Sequence, residues 1–449
     1  MNAPTAYWCE MAWLPPGEAV ESVYVAVDGR RLGEIRTGVP APPGAVRLAG
    51  LTLPGLADCH SHAFHRALRG HTQTERGSFW TWRRQMYGVA AALDPDGYEE
   101  LATAAYAEMA LAGVTCVGEF HYLHHQNGGA RYGDPNAMGH ALVRAAGRAG
   151  LRICLLDACY LTGGIGEALS GVQLRFGDGD ADRWAERAER LALAYQDDED
   201  VQIGAAIHSV RAVPPEQMRV PAEFAHRYTA PLHAHVSEQR AENEACVEAY
   251  SATPVQVLHE HGVLGPRSTA VHATHLSDVD VALLGGSTTH VCMCPTTERD
   301  LGDGIGPARR LLEAGAPITL GSDSQAVVDL FEEARAVELH ERLATAERGH
   351  WQAAELLHAA TAAGHASVGF PDAGCLVPGA RADLVSVRLD SVRTAGATRR
   401  TAAECVVFAA TASDVHSVVS GGRRVVVDGR HALGDVGALL ATAIARVRP

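Results

Sequence analysis

Eight short apolar runs recur through the middle of the sequence, and each is followed by a stretch rich in Ala, Leu, Glu and Arg. Several runs are apolar at nearly every position over the length of a strand, which is typical of parallel strands buried on both faces. The runs are Leu51–Asp58, Val114–Phe120, Leu151–Ala158, Val201–Ile207, Pro231–Val236, Thr269–Thr274, Thr289–Cys294 and Pro317–Gly321. Helical patterns lie between or after them, at Tyr98–Ala112, Ala181–Tyr195, Ala326–Ala344 and Trp351–Ala363. Eight strands alternating with helices predict an α/β fold, a (β/α)8 TIM-type barrel.

A doubly wound open sheet has the same alternation of strands and helices and is the competing architecture. Its dinucleotide-binding members carry a glycine-rich fingerprint directly after the first strand. The residues that follow the first apolar run here, Cys59–Phe64, contain no glycine. The sequence therefore favours the barrel.

Both ends of the chain differ from the middle, because they contain short alternating strands separated by Gly and Pro turns. These predicted strands are Ser22–Val27, Arg31–Ile35, Ala382–Arg388, Cys405–Phe408, Ser417–Ser420 and Arg423–Val427. Neither end is long enough to form a core alone. We therefore expect residues 1–50 and 375–449 to form one small β-sandwich domain together, beside a barrel at residues 51–374.

The charge balance of the chain excludes several functional classes. Its 449 residues carry a net charge of −15 and include no lysine, so all 38 basic residues are arginine. Nucleic acids and anionic membranes both need a basic binding surface, which this composition does not supply. The absence of lysine also excludes Schiff-base chemistry on a lysine and a metal bridge built on a carboxylated lysine.

Cysteine usage and hydropathy indicate the cellular compartment in which we expect the protein. Ten cysteines are too few for a disulfide scaffold in a chain of this length, and most lie inside apolar runs, which is typical of reduced cysteines in a cytoplasmic protein. The sequence shows no signal-peptide pattern, and no apolar run approaches the ~20 residues that cross a bilayer. We expect a cytoplasmic protein with neither nucleic-acid nor membrane partners, and a homodimer stays open.

Polar side chains of the kind that bind metals follow the first and fifth apolar runs. Strand alternation sends Asp58, His60 and His62 to the same side, and a barrel places its chemistry at the carboxyl ends of its strands. The fifth run ends with His235, followed three residues later by Glu238, a pair that can hold a metal and move a proton. The alternatives are a chance His-x-His among 23 histidines and a solvated Glu at a helix start.

The sixth and eighth runs add further candidates. The sixth contains His272 and His275, of which alternation lets only one face inward. The eighth is followed by Asp323, for which a helix N-cap is the alternative. Inward imidazoles from the first and fifth runs and a carboxylate from the eighth suit zinc with one position open for water, whose pKa the metal lowers toward ~7.

The pattern as a whole resembles the amidohydrolase superfamily, in which His-x-His follows Pro-Gly-x-x-Asp and later strand ends supply His and Asp. Members of that superfamily are barrels with a small β-domain made from both chain ends. Five segments resemble one subgroup, the deiminases that act on N-formimino-L-glutamate in histidine degradation: His60–Gly70, Phe79–Arg83, His208–Val213, His272–His275 and Cys294–Gly304.

The resemblance implies a role for each matching residue. The implied ligands of one Zn²⁺ per chain, with Fe²⁺ or Mn²⁺ as alternatives, are His60, His62, His235 and Asp323. Glu238 is the implied proton shuttle, and His272 is implied to orient or polarise at the reacting carbon. Asp323 is also implied to assist deprotonation of the metal-bound water. The lack of lysine independently fits a site with a single metal ion.

The implied substrate is a small amino-acid derivative with two carboxylates, so its site needs fixed positive charge, for which arginine offers a bidentate match. The implied contacts are His65, Arg83, Tyr122, His208 and Arg211. At one of them the chain departs from the subgroup, which usually has glutamine where this sequence has His65. In the implied reaction, hydroxide on the zinc attacks the formimino carbon and Glu238 passes a proton to the departing nitrogen, which yields N-formyl-L-glutamate and ammonia.

Two other functions compete with this one. A related zinc deaminase of a nucleobase or an adenosine-like compound would use the same metal ligands, with aromatic and amide groups in place of arginines. A non-catalytic relative that only binds ligands would have lost metal or proton-transfer residues. Arg83 and Arg211 favour the acidic substrate, and the complete set of metal and proton-transfer residues favours an enzyme.

Overall fold

Two eight-stranded sheets form within residues 5–74 and 79–448, the part of the chain that the computed structural model describes. The first four residues and the last residue of the predicted terminal domain lie outside the described residues, as do the side chains of Phe79 and Trp80 in the segment Phe79–Arg83. The division into domains at residues 50 and 375 stays a prediction.

The strands are numbered in chain order. They are β1 (Thr5–Leu14), β2 (Glu18–Asp28), β3 (Arg31–Arg36), β4 (Val46–Pro54), β5 (Leu56–Ser61), β6 (Val114–His121), β7 (Arg152–Cys159), β8 (Val201–Ile207), β9 (Leu232–Val236), β10 (Ser268–His272), β11 (His290–Met293), β12 (Ile318–Leu320), β13 (Leu384–Val387), β14 (Val415–Ser420), β15 (Arg423–Val427) and β16 (Arg430–His431).

The helices are numbered in chain order in the same way. They are α1 (Phe79–Ala92), α2 (Pro95–Leu111), α3 (Ala137–Ala149), α4 (Ala181–Ala194), α5 (Arg219–Tyr228), α6 (Arg240–Tyr250), α7 (Pro254–Glu260), α8 (Asp278–Gly286), α9 (Pro295–Leu301), α10 (Ala308–Ala314), α11 (Leu330–Thr345), α12 (Ala353–Ala360), α13 (Ala362–Ser367), α14 (Ala402–Phe408) and α15 (Val436–Val447). None of these helices, within the described residues, has both the length and the apolar character needed to cross a bilayer.

Strands β5 to β12 form the barrel. They lie side by side in chain order, and their pairings are parallel. A parallel bridge between Ser61 and Asp323 brings the last strand back to the first. Nearly all side chains on these strands are buried, because the barrel interior covers one face and the helices cover the other. The predicted (β/α)8 barrel is confirmed.

The second sheet is built from both ends of the chain, as predicted. Its strand order is β16-β15-β14-β13-β4-β1-β2-β3, and the two ends meet where β13 pairs antiparallel with β4. The sheet has an apolar core of its own, to which Tyr7, Val25 and Leu48 contribute from the N-terminal part and Leu384 and Val419 from the C-terminal part.

The first apolar run was predicted to be one barrel strand, and this prediction is wrong. The run is divided between the two sheets. Val46–Pro54 pairs within the terminal sheet, and the barrel begins only at Leu56. The chain crosses between the two sheets at Gly55, where a Cβ atom would lie 2.1 Å from Thr115 Oγ1. A continuous apolar run therefore concealed a change of sheet, because Leu51–Pro54 and Leu56–Asp58 are both buried at every position.

The prediction of a strand at Cys405–Phe408 is wrong, because these residues form the end of helix α14. Ala402, Ala403, Val406 and Val407 are the buried residues of this helix, a spacing that fits one helical face. Four β-branched, aromatic or sulfur-containing residues in a row do not distinguish a strand from a buried helical turn. The C-terminal helix α15 was also not predicted.

A buried ion pair joins the terminal sheet to the amino ends of the barrel strands. Arg152, the first residue of β7, donates from Nη1 to Asp383 Oδ1 at 3.0 Å, and both side chains are 1% exposed. The Gly421 N–H donates to the same carboxylate at 2.8 Å. Burial raises the pKa of Asp383, but Arg152 outweighs this effect and holds the pKa below its ordinary value.

We expect Arg152→Met to lower the free energy of unfolding by about 3–5 kcal/mol, because it leaves the buried carboxylate of Asp383 without its cation. Urea denaturation measures the loss. The matched control is Arg388→Met, which removes an exposed ion pair to Asp390 and is expected to cost less than about 1 kcal/mol. Equal losses in the two variants would contradict the assignment of Arg152 as the tie between barrel and terminal sheet.

Candidate metal centre and substrate pocket

Four predicted metal ligands come together at the carboxyl ends of the barrel strands. His60 and His62 lie on and directly after β5, His235 lies on β9, and Asp323 follows β12. Their ligand atoms all lie within 4.8 Å of one another, and all four residues are buried. Asp323 Oδ1 is 3.4 Å from the Nε2 atoms of both His60 and His62, and His60 Nε2 is 3.0 Å from His235 Nε2.

Backbone carbonyls orient two of these imidazoles. His62 Nδ1 lies 2.9 Å from the Phe120 carbonyl oxygen, and His235 Nδ1 lies 2.8 Å from that of His208. Because a carbonyl oxygen only accepts, each Nδ1 carries the hydrogen and each Nε2 presents a lone pair to the cluster. Burial, together with the neighbouring histidines, lowers the pKa of both rings and keeps them neutral. Neutral imidazoles beside a buried carboxylate are a donor set that fits a divalent metal such as zinc.

The backbone at these strand ends adopts conformations that L-residues rarely take. Ser237, His272 and Asp323 have φ angles of 52°, 68° and 42°. Such left-handed residues persist only where their surroundings hold them, and they concentrate at functional sites. Here the last strand approaches the first closely, because a Cβ atom on Gly321 would lie 2.8 Å from the His60 carbonyl oxygen.

Two buried carboxyl groups support the His60–His62 segment without joining the ligand cluster. The Ser322 N–H donates to Asp58 Oδ1 at 3.0 Å. Glu119 accepts from the Ser61 hydroxyl and from the Ala63 N–H, both at 2.8 Å. Burial raises the pKa of Asp58 to about 7 and that of Glu119 to about 8. Alternation placed Asp58 on the same side as the ligands, but the structure gives its carboxylate a backbone partner instead.

His272, and not His275, faces the cluster, as alternation required of one of the two. His272 Nε2 lies 3.7 Å from Asp323 Oδ2, and its Nδ1 lies 3.5 Å from Glu298 Oε1. Burial lowers the pKa of His272, but the Glu298, Glu238 and Asp323 carboxylates together outweigh it and raise the pKa to about 10.

A pocket opens above the ligand cluster, and every predicted substrate contact lines it. The predicted residues that line it are His62, His65, Arg83, Tyr122, His208, Arg211, His235, Glu238, His272 and Asp323. His60 is fully buried next to them. The lining residues that were not predicted are Trp82, Met86, Tyr87, Tyr160, Phe176 and Leu301.

His65 and Tyr122 form one wall of this pocket. His65 Nε2 lies 3.0 Å from the Tyr122 hydroxyl oxygen, and burial lowers the pKa of His65 to about 3. Burial also raises the pKa of Tyr122 well above its ordinary value. Both groups are therefore neutral at pH 7 and can offer hydrogen bonds to a ligand without charge.

Two arginines bring positive charge to the pocket. Arg83 Nε donates to the Tyr87 hydroxyl at 2.8 Å. Arg211 lies between two carboxylates, with Nη2 3.3 Å from Glu238 Oε2 and Nε 3.8 Å from Glu242 Oε2. A guanidinium can donate two parallel hydrogen bonds to a carboxylate, so both arginines could bind a carboxylate of a ligand.

Some residues of this site were missed, and the signals that could have found them differ. Tyr160 follows directly after β7, so the rule that chemistry lies at strand ends could have identified it. Glu242 lies four residues after Glu238 at the start of α6, and nothing in its local sequence indicates the contact with Arg211.

A second buried group of potential ligands lies outside this pocket, at His121, His124 and Asp157. The Asp157 carboxylate there accepts from Trp184 Nε1 at 2.8 Å and from Arg187 at 2.7 and 2.8 Å. Because its oxygens are already bound to donors, one of them a cation, this group stabilises the packing of the helices rather than offering a metal site.

Comparison with known proteins gives relatives along nearly the whole chain. The formimidoylglutamate deiminase of Pseudomonas aeruginosa is 36% identical over 440 residues, which are 95% of this chain and 96% of that protein. The 8-oxoguanine deaminase of the same organism is 32% identical over 431 residues, which are 93% of this chain and 92% of that protein.

A solved structure and a family model also match nearly the whole chain or most of it. The crystal structure of an amidohydrolase from Brucella melitensis has a TM-score of 0.92 at 32% identity, and the match covers 99% of this chain and 100% of that one. The model of the amidohydrolase family matches residues 51–425, which include the barrel and strands of the terminal sheet. The chain therefore belongs to the amidohydrolase family.

Proposed function

We propose that this protein hydrolyses N-formimino-L-glutamate to N-formyl-L-glutamate and ammonia, with one Zn²⁺ per chain. The observation that carries the proposal is the pocket itself, in which Arg83 and Arg211 line the same cavity as two histidines and the carboxylate of the four-residue group that fits a metal. The 36% identity to a formimidoylglutamate deiminase supports the same substrate. At a coarser level, family membership supports a hydrolase of C–N bonds.

The reaction balances with water as the only second reactant. The oxygen of water is added to the formimino carbon, and the bond from that carbon to the terminal nitrogen breaks. Both protons of the water end on the departing nitrogen, which leaves as ammonia. The chain therefore has to move protons between water and nitrogen at one carbon, which is the work of positioned acid–base groups.

His60, His62, His235 and Asp323 are the proposed metal ligands. A divalent metal held there supplies Lewis acidity, which makes water nucleophilic at neutral pH. Glu238 lines the same pocket and is the proposed group that carries the proton to the departing nitrogen. His272, 3.7 Å from Asp323, is proposed to orient the formimino group at the reacting carbon, and Asp323 to assist removal of the first proton.

The two substrate carboxylates are proposed to bind Arg83 and Arg211, because a guanidinium matches a carboxylate with two parallel hydrogen bonds. His65, Tyr122 and His208 are proposed as neutral hydrogen-bonding partners of the remaining polar atoms. Their neutrality follows from burial, which lowers the pKa of both histidines and raises that of the tyrosine.

A deaminase of a nucleobase or an adenosine-like compound is the second candidate, supported by the 32% identity to an 8-oxoguanine deaminase. A pocket for a base is expected to combine aromatic walls with carboxamides that pair with the ring edge. Aromatic side chains are present here, but no Asn or Gln lines the pocket among residues 5–74 and 79–448. The arginines therefore favour the acidic substrate.

We expect the zinc-loaded protein to release ammonia from N-formimino-L-glutamate and Glu238→Gln to lower kcat by about 10²–10⁴-fold, because the variant cannot carry the proton. An ammonia assay on both proteins measures the difference. The matched control is Glu244→Gln, which changes an exposed residue on α6 six positions after Glu238 and is expected to retain full activity. Activity only on 8-oxoguanine or adenosine, measured in parallel, would overturn the proposed substrate but would still support hydrolytic deamination.

We expect one zinc per chain by elemental analysis and loss of that zinc in His235→Ala. Metal removal by a chelator is expected to lower the melting temperature, because a ligand at 100 times its Kd stabilises the folded state by about 2.7 kcal/mol. His259→Ala, an exposed histidine on α7, is the matched control and is expected to keep its metal. Iron or manganese in place of zinc would correct the identity of the proposed metal. A protein that contains no metal in stoichiometric amount would contradict the proposed metal centre.

A further inference from the structure

Arg211 lies between two carboxylates in the pocket, and one of them belongs to the proposed proton carrier. Its Nη2 lies 3.3 Å from Glu238 Oε2, and its Nε lies 3.8 Å from Glu242 Oε2. The Glu238 side chain is 10% exposed and that of Glu242 is fully buried, whereas that of Arg211 is 29% exposed. Of these three groups, the guanidinium is thus the most accessible to an entering ligand.

The two carboxylates differ in what they can do next. Glu242 lies in the first turn of α6, where the helix amino end stabilises a negative charge, and it has no access to solvent. Glu238 lines the pocket. Glu242 is therefore out of reach of an entering ligand, and Glu238 is the partner of Arg211 that a ligand can replace.

An arginine on Glu238 conflicts with the role proposed for that residue. The Nη2 N–H of Arg211 donates to Glu238 Oε2 at 3.3 Å, so this oxygen already has a hydrogen-bond donor that is not part of the reaction. Glu238 can carry a proton efficiently only after Arg211 has found another partner.

We infer that a carboxylate of the substrate takes Arg211 away from Glu238 and thereby releases Glu238 for proton transfer, while Glu242 keeps the guanidinium in place. Glu242 is then a positioning residue, and the substrate carboxylate acts as an activator in addition to a binding group. The inference rests on the proposed function, since it requires an anionic formimino substrate.

The charges balance through this exchange. Before binding, Arg211 pairs with Glu238, and the substrate carries an anionic carboxylate and a basic formimino group that is protonated in neutral water. After binding, Arg211 pairs with the carboxylate, and Glu238 faces the protonated formimino group. One ion pair of the protein is replaced by two pairs with the substrate, so neither Arg211 nor Glu238 is left without a partner.

A substrate without carboxylates tests this inference. N-propylformamidine has the same reacting group but offers nothing to Arg211, so in the wild-type protein Glu238 stays bound during its hydrolysis. Removal of the arginine in Arg211→Met then has opposite effects on the two substrates. We expect kcat/KM for N-formimino-L-glutamate to fall about 100-fold and kcat for N-propylformamidine to rise about tenfold.

The controls separate this effect from a loss of folding. Arg211→Met leaves Glu242 buried without its cation, so the double variant Arg211→Met/Glu242→Gln, which removes that charge, is measured beside it and is expected to show the same opposite effects. Arg219→Met removes an exposed arginine paired with Glu223 and is expected to leave both substrates unaffected. Thermal unfolding monitors the fold of each variant.

Each other outcome overturns a defined statement. Equal losses on both substrates would show that Arg211 only maintains the pocket, and a loss confined to the anionic substrate would show that it only binds; either result overturns the release of Glu238. A wild-type protein that hydrolyses N-propylformamidine but not N-formimino-L-glutamate overturns the proposed substrate, and the response to Arg211→Met on the compound without carboxylates still tests whether Arg211 restrains Glu238. A wild-type protein that hydrolyses neither overturns both.

Discussion

The barrel closes through the same backbone contacts that carry the candidate metal centre. The Asp323 N–H donates to the His60 carbonyl at 2.8 Å, the His62 N–H donates to the Asp323 carbonyl at 3.1 Å, and the Asp58 carboxylate accepts from the Ser322 N–H. Three of the four candidate ligands thus belong to the two segments that these bonds join. Closure of the barrel therefore brings His60, His62 and Asp323 together.

Buried charge serves two different purposes at the two ends of the barrel. At the amino ends, Arg152 and Asp383 form a closed pair that ties the terminal sheet to the barrel, and neither group is accessible to a ligand. At the carboxyl ends, Arg211 is partly exposed and pairs with a residue of the pocket. A pair sealed from solvent stabilises the fold, whereas a pair at the mouth can be exchanged for a ligand. This division matches the general placement of stability and chemistry at opposite ends of such barrels.

Local patterns predicted the parts of the structure that depend on local properties. The eight runs of the barrel were recognised because burial on both faces leaves an apolar signature in each strand, and His272 was separated from His275 because side chains alternate along a strand. The same reasoning failed at Leu51–Asp58 and Cys405–Phe408, where one apolar run is compatible with a different sheet or a helix. It also gave no role to Glu119, because a buried acid at a strand end does not reveal whether it faces a ligand or a backbone N–H.

By itself the sequence determined the alternation of strands and helices, the residues that stand at the strand ends, and the absence of a lysine on which other chemistry could be built. These follow from the order of side chains along the chain. Only the tertiary structure decided that the first barrel strand lies next to the eighth and that the Asp58 carboxylate accepts from the Ser322 N–H. It also decided that Arg211 lies between Glu238 and Glu242. Contacts of this kind depend on the closure of the barrel and on the angle at which each helix packs, and neither is a property of neighbouring residues.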